Sequence, residues 1–354
     1  MAAIIPNHLF IFDSDYKLHY VDDTNDTNNF KHVKQFKLDE GCLNALKSNH
    51  RKSYRDLANK YNNNETIFDI EPYNKDYIVL YNSLVNDKGV IIVDNKMFLN
   101  GGCLCRNSCN NLFYKNIKQE DDVISISALW SEGIWHFPFE ALVALMSIPK
   151  DILNKCKIHV SKISNFIIEW FNILNIPHAK LVTGNIKANT LYLPRMGKCG
   201  NPYYDQIKWL QNIVNKNISD MPIEYIILIK RTIRRKLTNN DELETLLTNY
   251  CSKLNLKLYI HDDTNLPTLT EQQQIFNKAK IVFAPHGAGG INIISMKCDA
   301  WYIEFLSVED INLCYSRLAY LCNVNYIGLS MMNNTIDTTK IINVFNEITL
   351  NRAN

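Results

Sequence analysis

The feature that most constrains the fold is a regular alternation that begins near residue 223 and continues to about residue 348. Short apolar runs rich in β-branched residues are separated there by longer segments of mixed polarity. Runs of this kind predict strands buried on both faces, and the longer segments predict helices. The strands are expected at 223–230, 256–261, 280–285, 300–306 and 324–330, and the helices at 240–254, 270–279, 290–296, 310–322 and 336–348.

Asp241 and Thr270 are the expected N-caps of two of these helices. The pattern predicts a doubly wound parallel sheet, whose ligands bind beyond the carboxyl ends of the strands.

The first half of the chain is less regular and predicts a second α/β unit. Strands of mixed pairing are expected near 75–81, 88–102 and 122–130, and they are followed by helices and strands between 138 and 194. The polar segment 197–205 is the expected junction, and the Asn/Asp-rich segments 22–34 and 60–65 are expected loops. These boundaries predict an N-terminal α/β domain (1–196), a C-terminal Rossmann-like domain (197–335) and a C-terminal helix (336–354) that can pack back on the N-terminal domain.

Charge and hydropathy exclude several classes of protein. Lys and Arg number 38 and Asp and Glu number 36, so the net charge of +2 gives no global basic field for nucleic acid. An anionic ligand must therefore be met by a local site. No window approaches the ~18 apolar residues of a membrane span, and the N-terminus lacks the basic region of a signal peptide. We expect a cytoplasmic protein with no membrane span and no nucleic-acid partner.

The ten cysteines are too dilute for a disulfide framework and fit a reducing compartment. Cys103, Cys105 and Cys109 form a cluster, but their spacing differs from the paired C-x-x-C of a zinc ribbon. We expect incidental thiols there, with a metal site as the alternative. The remaining His, Cys, Asp and Glu residues show no convincing ligand spacing, so we predict no metal and no cofactor.

A glycine-rich segment, Ala284–Asn292, lies directly between a predicted strand and a predicted helix. Glycines allow a ligand to approach the backbone closely, and the start of a helix favours an anion such as a diphosphate. The segment does not have the spacing of the dinucleotide fingerprint, so a tight strand-to-helix turn is an equal alternative. His286 favours the phosphate hypothesis, because an imidazole can donate to a phosphate oxygen.

A basic cluster, Lys230–Lys236, follows the predicted strand at 223–230. At the carboxyl end of a strand it lies on the ligand-binding edge of the sheet, where arginine can hold phosphate oxygens. A solvated basic loop is the alternative. Glu304 ends another predicted strand and is a candidate to accept ribose hydroxyls at the same edge.

His136 and Glu140 are four residues apart at the predicted start of a helix that contains Pro138. Pro138 is tolerated in the first turn, and residues at this spacing share one helix face. A histidine paired with a carboxylate can serve as a general base. A capping histidine beside a surface glutamate is the structural alternative.

Together these residues resemble the family 61 glycosyltransferases, the DUF563 group, which includes xylan xylosyl- and arabinosyltransferases and O-linked N-acetylglucosaminyltransferases. The resemblance covers about residues 76–330, and its most specific part is His286–Gly289 followed by Asn292. The segment His136–Leu142 is similar to the start of the family's His-Trp-x-x-Asp/Glu-x-Leu helix. The other matching residues are Arg231, Arg234, Arg235, Asn239 or Asn240, Asp241, Glu242, Leu243, Glu271, Gln272 and Glu304.

The resemblance implies a GT-B architecture, in which two Rossmann-like domains face each other across a cleft. It also implies an inverting transfer from a nucleotide sugar, of UDP type, to a glycan or other acceptor hydroxyl without an obligatory metal. His136 and Glu140 would supply the general base. The donor would be bound by Arg231, Arg235, His286, Gly287, Ala288, Gly289, Asn292 and Glu304.

The chain departs from the family pattern at Gly290-Ile291, where Leu-Thr is usual, and at Phe137, where Trp is usual. The usual membrane anchor is also missing from the sequence. The alternative function is a catalytically inactive protein of the same fold that binds a nucleotide sugar or a glycan.

Overall fold

The structure is a computed structural model that describes residues 4–6, 18–20, 35–65, 67–68, 70–94, 96–101, 116–218 and 220–350. The chain divides into two compact units. The first unit comprises residues 1–30 and 70–217, and the second comprises residues 31–69 and 218–354. Cys103, Cys105 and Cys109 lie outside the described residues, so the expectation for that cluster stays a prediction.

Each unit contains a β-sheet, and the strands of the two sheets are numbered in chain order. They are β1 (Ile4–Pro6), β2 (Leu18–Tyr20), β3 (Phe36–Leu38), β4 (Asp76–Val85), β5 (Val90–Val93), β6 (Lys96–Leu99), β7 (Lys118–Ser125), β8 (Lys157–His159), β9 (Leu181–Val182), β10 (Ile186–Pro194), β11 (Tyr225–Lys230), β12 (Lys257–Asp262), β13 (Ala279–Pro285), β14 (Trp301–Ser307) and β15 (Asn325–Met331).

The α-helices are α1 (Glu40–Lys47), α2 (Lys52–Asn62), α3 (Lys150–Lys155), α4 (Asn165–Ile173), α5 (Tyr204–Lys216), α6 (Asn240–Leu254), α7 (Leu269–Asn277), α8 (Cys314–Cys322) and α9 (Thr338–Leu350). A π-helical turn spans Phe137–Ala141, and 3₁₀ helices span Leu142–Ser147, His178–Lys180 and Ala288–Ser295. None of the helices in the described ranges combines the length and apolarity needed to cross a membrane.

The second unit contains a six-stranded sheet in the order β12-β11-β13-β14-β15-β3, with every pairing parallel. The five strands expected from the alternation are all present. Helices connect them, as parallel pairing requires. The strand interiors are buried, which explains why the sequence shows continuous apolar runs here and not a two-residue alternation.

The core of the second unit includes α9, since Ile341, Phe345 and Ile348 pack with the buried side chains of β11, β13 and β14. The rings of Tyr250 and Phe345 are stacked with centroids 3.8 Å apart. The helix expected at 336–354 therefore packs in the second unit, in contrast to the suggestion that it packs back on the first. Its apolar residues recur at the i, i+3, i+4 and i+7 spacing that forms one buried stripe.

The segment 35–68 also belongs to the second unit, although we expected it in the N-terminal domain. β3 pairs with β15 as the sixth strand. Asp39 caps α1 by accepting from Cys42 N, and its other carboxylate oxygen accepts from Ser330 N and Lys340 Nζ at 2.8 and 2.7 Å. A three-residue strand is too short to produce a readable pattern, which explains why the sequence did not reveal it.

Two helix starts differ from the predicted N-caps. Asn239, not Asp241, precedes α6. Thr268, not Thr270, caps α7 through a capping box in which its hydroxyl and the carboxylate of Glu271 each bind the other residue's backbone N–H. The helix expected at 290–296 is the 3₁₀ helix Ala288–Ser295.

The first unit contains a nine-stranded mixed sheet in the order β1-β6-β5-β4-β10-β7-β8-β9, with β2 pairing to β4. β4, β5 and β6 form antiparallel hairpins, whereas β10, β7, β8 and β9 are parallel. The unit is α/β as expected, but its sheet is not the all-parallel sheet of a Rossmann-like domain. The short turn between β4 and β5 explains this, because a tight connection joins antiparallel strands only.

The expected junction at 197–205 lies inside the first unit. Part of it, Tyr204–Asp205, begins α5, whose residues Ile207, Leu210 and Val214 are buried. The boundary between the units follows this helix, at residues 217 and 218.

Candidate functional site

The loops after β11 and β13 form the candidate site of the second unit. These two strands are neighbours in the sheet, but the chain between them passes through β12 on the far side of β11. This reversal of strand order is the point where an open parallel sheet has its ligand crevice. Arg231 follows β11 and His286 follows β13, so both residues lie at that crevice.

Two arginines converge on one carbonyl oxygen at this crevice. Arg231 Nη1 donates to His286 O at 2.9 Å, and Arg235 Nη1 donates to the same oxygen at 3.4 Å. Burial disfavours the charged guanidinium of Arg231 and lowers its pKa from the usual value, and the charge of Arg235 adds to this effect. The site therefore concentrates positive charge in a partly desolvated position, which an anionic ligand would neutralise.

The glycine-rich turn fits closely against the arginine. A Cβ at Gly287 would lie 1.7 Å from Arg231 Nη1, and a Cβ at Gly290 would lie 2.5 Å from the ring of Tyr315. No side chain can be accommodated at either position without moving these neighbours. Ala288 and Gly289, between them, are half-buried.

A buried hydrogen-bonded chain holds the His286 ring. His286 Nδ1 and Glu304 Oε1 are 2.6 Å apart, and Tyr326 OH donates to Glu304 Oε2 at 2.7 Å. Glu304 is fully buried, and Tyr326 is also without exposed surface. With Nδ1–H donated to the carboxylate, the lone pair of the neutral imidazole is on Nε2.

The position of Glu304 differs from the one expected. We expected it at the crevice rim, where it would accept ribose hydroxyls. It lies within β14, three residues before the strand ends, and both of its oxygens are occupied by His286 and Tyr326. The carboxylate therefore supports His286 from inside the fold.

Asn292 is also beneath the turn and not at its surface. Its amide nitrogen donates to Gln272 Oε1 at 3.2 Å and to Gly289 O at 3.3 Å, and the side chain is almost fully buried. These bonds join the turn to α7. Asn292 thus holds the turn in place, whereas the sequence suggested contact with the donor.

His261 is a residue of this site that the sequence reasoning missed. It lies near the carboxyl end of β12, and its Cδ2 is 3.5 Å from the position that a Cβ of Gly289 would take. Nδ1 is buried and has no partner among the described residues. Burial lowers the pKa of His261 from the usual 6.5 to about 4, so the ring is neutral near pH 7. Glu304 was selected because it is a polar residue near the end of a predicted strand. The same criterion would have selected His261, which ends the strand predicted at 256–261.

The first unit contains the pair His136 and Glu140. His136 Nδ1 and Glu140 Oε2 are 2.9 Å apart, and the histidine side chain is 29% exposed. Glu140 Oε1 accepts from Trp135 Nε1 at 3.0 Å and from Gly200 N at 2.8 Å. The glutamate is buried, which contradicts the alternative of a surface residue. Its contacts hold the carboxylate at hydrogen-bond distance from Nδ1 of the imidazole.

The π-helical turn Phe137–Ala141 sets this spacing. Pro138 lies in its first turn, where its missing N–H costs nothing, and Phe137 and Phe139 anchor the turn through buried rings. Gly197 N donates to Glu140 O at 2.8 Å, and a Cβ at Gly197 would lie 2.8 Å from Glu140 Cα. The segment after β10 therefore packs directly on the carboxylate-bearing turn.

Cys199 lies beside the same pair. Ligand atoms of His136, Glu140 and Cys199 are all within 4.8 Å of one another, a grouping that can hold a metal ion when the sulfur is a thiolate. Cys199 is disulfide-bonded, which differs from our expectation of reduced thiols. In this state the sulfur is not an anionic ligand.

Comparison with known proteins gives one family. Residues 134–301 match the family described as Glycosyltransferase 61. No curated protein matches the chain. Among solved structures, the chain is similar to a flavo di-iron protein variant from Thermotoga maritima, with a TM-score of 0.30 and 10% identity over 84% of this chain and 70% of that chain. A flavoprotein from Thermotoga maritima is similar over the same shares, with a TM-score of 0.27 and 12% identity.

The matched range contains the residues that carried the sequence resemblance, except Glu304, which lies three residues beyond its end. It begins two residues before His136 and extends past the arginine loop and the glycine-rich turn to Trp301, the first residue of β14. The resemblance is thereby confirmed over residues 134–301, which match glycosyltransferase family 61 and indicate a glycosyltransferase.

Proposed function

We propose that the protein is an inverting glycosyltransferase that moves a sugar from a UDP-type donor to an acceptor hydroxyl. The observation that carries the proposal is the convergence of Arg231 and Arg235 on the carbonyl of His286 at the point where the strand order reverses. A nucleoside diphosphate is the ligand whose charge and shape suit such a site.

In this proposal the arginines stabilise the leaving diphosphate. As the bond between the anomeric carbon and the diphosphate oxygen breaks, negative charge develops on that oxygen. A guanidinium that is already desolvated interacts with this charge more strongly than a solvated one, because the local dielectric is lower. The close fit of Gly287 lets the diphosphate approach Arg231 and the backbone together.

His286 contributes a hydrogen bond through Nε2. Glu304 positions the ring by accepting from Nδ1, which leaves Nε2 available to the ligand. His261 and Ala288 complete the lining of the donor site. Asn292 and Glu304 do not contact the donor in this proposal. Asn292 supports the glycine-rich turn and Glu304 supports His286, so their effect on the donor is indirect.

His136 is the proposed general base, with Glu140 as its positioning residue. The acceptor hydroxyl oxygen forms a bond to the anomeric carbon, its proton passes to Nε2 of His136, and the diphosphate leaves with the electron pair of the broken bond. A single displacement of this kind inverts the anomeric carbon. Glu140 fixes the tautomer, because its carboxylate accepts from Nδ1.

The GT-B arrangement and independence from metal are parts of the same proposal. A base in one unit and a donor site in the other is the division of roles that GT-B enzymes use. Two arginines can supply the charge that a divalent cation supplies elsewhere. Transfer measured in excess EDTA should continue at its normal rate, and loss of transfer that manganese restores would contradict this part.

Thermal melts with a panel of nucleotides and nucleotide sugars test the donor site directly. A ligand at 100 times its dissociation constant stabilises a folded protein by ~2.7 kcal/mol. We expect uridine diphosphate and a UDP-sugar to raise Tm, and Arg231→Ala to reduce the shift to less than half. Absence of a shift with every nucleotide and nucleotide sugar would overturn the proposal.

A further inference from the structure

We propose that Trp130 is a stacking platform for the saccharide ring of the acceptor, so that the acceptor is a glycan. The inference rests on the proposed function, because it assumes that His136 receives the proton of an acceptor hydroxyl. Trp130 lies in the loop between β7 and the π-helical turn that carries His136.

Trp130 combines two properties that are unusual together. Its side chain is 57% exposed, in contrast to Trp135 and Trp170, which are buried. Its backbone has a φ of +69°, in the left-handed region that bulky side chains avoid. A glycine or asparagine would adopt this conformation at lower cost, and an exposed indole contributes little to a core. Neither property stabilises the fold, and strained conformations of this kind concentrate at functional sites.

The loop around Trp130 is held rigidly. Ala128 N donates to Ser131 Oγ at 3.0 Å, and Ser131 Oγ lies 2.6 Å from Ser161 Oγ on the loop after β8. Asn100 Nδ2 donates to Ser127 O at 3.1 Å. Gly133 N donates to Trp130 O at 2.8 Å, which closes the turn.

Two glycines show how tightly the base of this loop is packed. A Cβ at Gly89 would lie 2.4 Å from Ser127 O, and a Cβ at Gly101 would lie 2.7 Å from Ala128 Cβ. The surrounding contacts therefore impose the backbone of the loop and maintain the left-handed conformation of Trp130. A preorganised aromatic surface loses little entropy when a ligand binds to it.

The backbone of Trp130 is adjacent to the turn that carries the proposed base. The position that a Cβ of Gly133 would take lies 3.1 Å from Trp130 O and 3.3 Å from His136 Cδ2. The indole is therefore attached to the same packed turn as the imidazole, and in this proposal the substituents of a ligand that rests on the indole reach the imidazole. The hydroxyl to be glycosylated must reach that imidazole, so the ligand that fits the platform is the acceptor.

A saccharide is the chemical class that this surface recognises. One face of a pyranose ring presents C–H groups, which carry a slight positive charge and are apolar, and the face of an indole is apolar and negative. Ile134, which is 44% exposed, adds apolar surface on the same loop. No charged side chain is needed for such a contact, which suits an uncharged glycan.

The test compares Trp130→Gly with Trp130→Phe, and Ile163→Ala is the control for loss of an exposed apolar side chain. Glycine relieves the left-handed backbone, so Trp130→Gly should keep or raise Tm. The probes are xylohexaose, cellohexaose and chitohexaose, added in the presence of uridine diphosphate. At least one should change the tryptophan fluorescence of the native protein, and the change should disappear in both Trp130 variants.

Kinetics separate the platform from a structural role. With a UDP-sugar and the hexasaccharide that binds, Trp130→Gly should raise the acceptor KM by at least about tenfold, equivalent to about 1.4 kcal/mol. The affinity for uridine diphosphate and the release of uridine diphosphate without acceptor should not change. The acceptor KM of Trp130→Phe should lie between those of the native protein and Trp130→Gly. The acceptor KM of Ile163→Ala should stay within about twofold of the native value, because this variant keeps the aromatic contact.

Three results would overturn the inference. The first is a fluorescence spectrum that none of the three hexasaccharides alters. The second is a folded Trp130→Gly variant with an unchanged acceptor KM. The third is a loss of uridine diphosphate affinity in Trp130→Gly as large as its rise in acceptor KM, which would place the nucleotide base on the indole. The fluorescence titration needs no transfer, so failure of the proposed function, seen as no thermal shift with any nucleotide, is a distinct outcome.

Discussion

His286 Nδ1 and Glu304 Oε1 lie 2.6 Å apart, with the carboxylate fully buried and the imidazole nearly so. The two residues come from neighbouring strands, because Glu304 pairs in register with Ala284, two residues before His286. The second carboxylate oxygen is bonded to Tyr326 on the next strand. A chain of hydrogen bonds thus runs across three strands and ends at the candidate donor site, so the sheet itself sets the orientation of the histidine.

Tyr326→Phe should destabilise the protein, and Tyr302→Phe should not. Both tyrosines are fully buried, and burial together with the charge of Glu304 raises the pKa of both hydroxyls. Tyr326 OH donates to Glu304, but Tyr302 OH has no partner among the described residues. Removal of a hydrogen bond to a charged group costs ~1.5–3 kcal/mol.

Urea denaturation of the two variants measures this difference. Tyr302→Phe is a matched control because it removes the same atom from an adjacent strand. The Tyr326→Phe variant should also bind uridine diphosphate more weakly in calorimetry, since His286 loses part of its support. Equal stability of the two variants would mean that Glu304 does not depend on Tyr326.

Gly287→Ala should disrupt donor binding through Arg231. The new Cβ would lie 1.7 Å from Arg231 Nη1, so the guanidinium must leave its position on His286 O. The loss should match that of Arg231→Ala, because both changes remove one charge-assisted contact of roughly 1.5–3 kcal/mol. Calorimetry with uridine diphosphate measures both.

Gly184→Ala is the control for this substitution. Gly184 also has a positive φ, of +92°, but no atom lies within 4 Å of the position its Cβ would take. Gly184→Ala therefore introduces the same backbone strain without a steric clash, and it should leave the affinity for uridine diphosphate unchanged. If Gly287→Ala binds uridine diphosphate as the native protein does, Arg231 is not part of the donor site.

His136→Gln should lower kcat by the ~10²–10⁴ that loss of acid–base catalysis causes, with little effect on donor affinity. Glu140→Gln should lower kcat less, since the imidazole remains, but it should also lower Tm because Glu140 accepts three hydrogen bonds. Glu132→Gln, an exposed change in the same segment, is the control. Melts must accompany the kinetics, and normal turnover in folded His136→Gln would remove His136 from the mechanism.

The sequence predicts the second unit well for a physical reason. Strands buried on both faces need continuous apolar runs, and the loops at their carboxyl ends must carry the polar ligand-binding groups. Arg231 and His286 could therefore be placed at one crevice from chain order alone. The spacing of His136 and Glu140 likewise predicted their contact, because the helical turn brings residues four apart together.

Other features depend on contacts that a local pattern does not contain. β3 has three residues and is defined by its pairing with β15, about 290 positions away. The burial of Glu304 depends on how far β14 extends past its apolar run, and on Tyr326, a partner from another strand. The disulfide of Cys199 depends on the position of another cysteine in space, which spacing alone does not give.

Acid should destabilise the protein through a histidine in each unit. Burial lowers the pKa of His159 and of His261 from the usual 6.5 to about 4. Between these values the unfolded chain binds protons that the folded chain excludes, so the free energy of unfolding falls as the pH decreases from about 7 to 4. Each histidine accounts for about 3 kcal/mol when fully buried.

Urea denaturation at several pH values measures how steeply the free energy of unfolding changes with pH. His159→Gln should reduce this slope, whereas the same change at the exposed His178 should not. An unchanged slope in His159→Gln would mean that the ring protonates within the fold despite its burial, with Gly184 O, at 2.9 Å from Nε2, accepting from the ring.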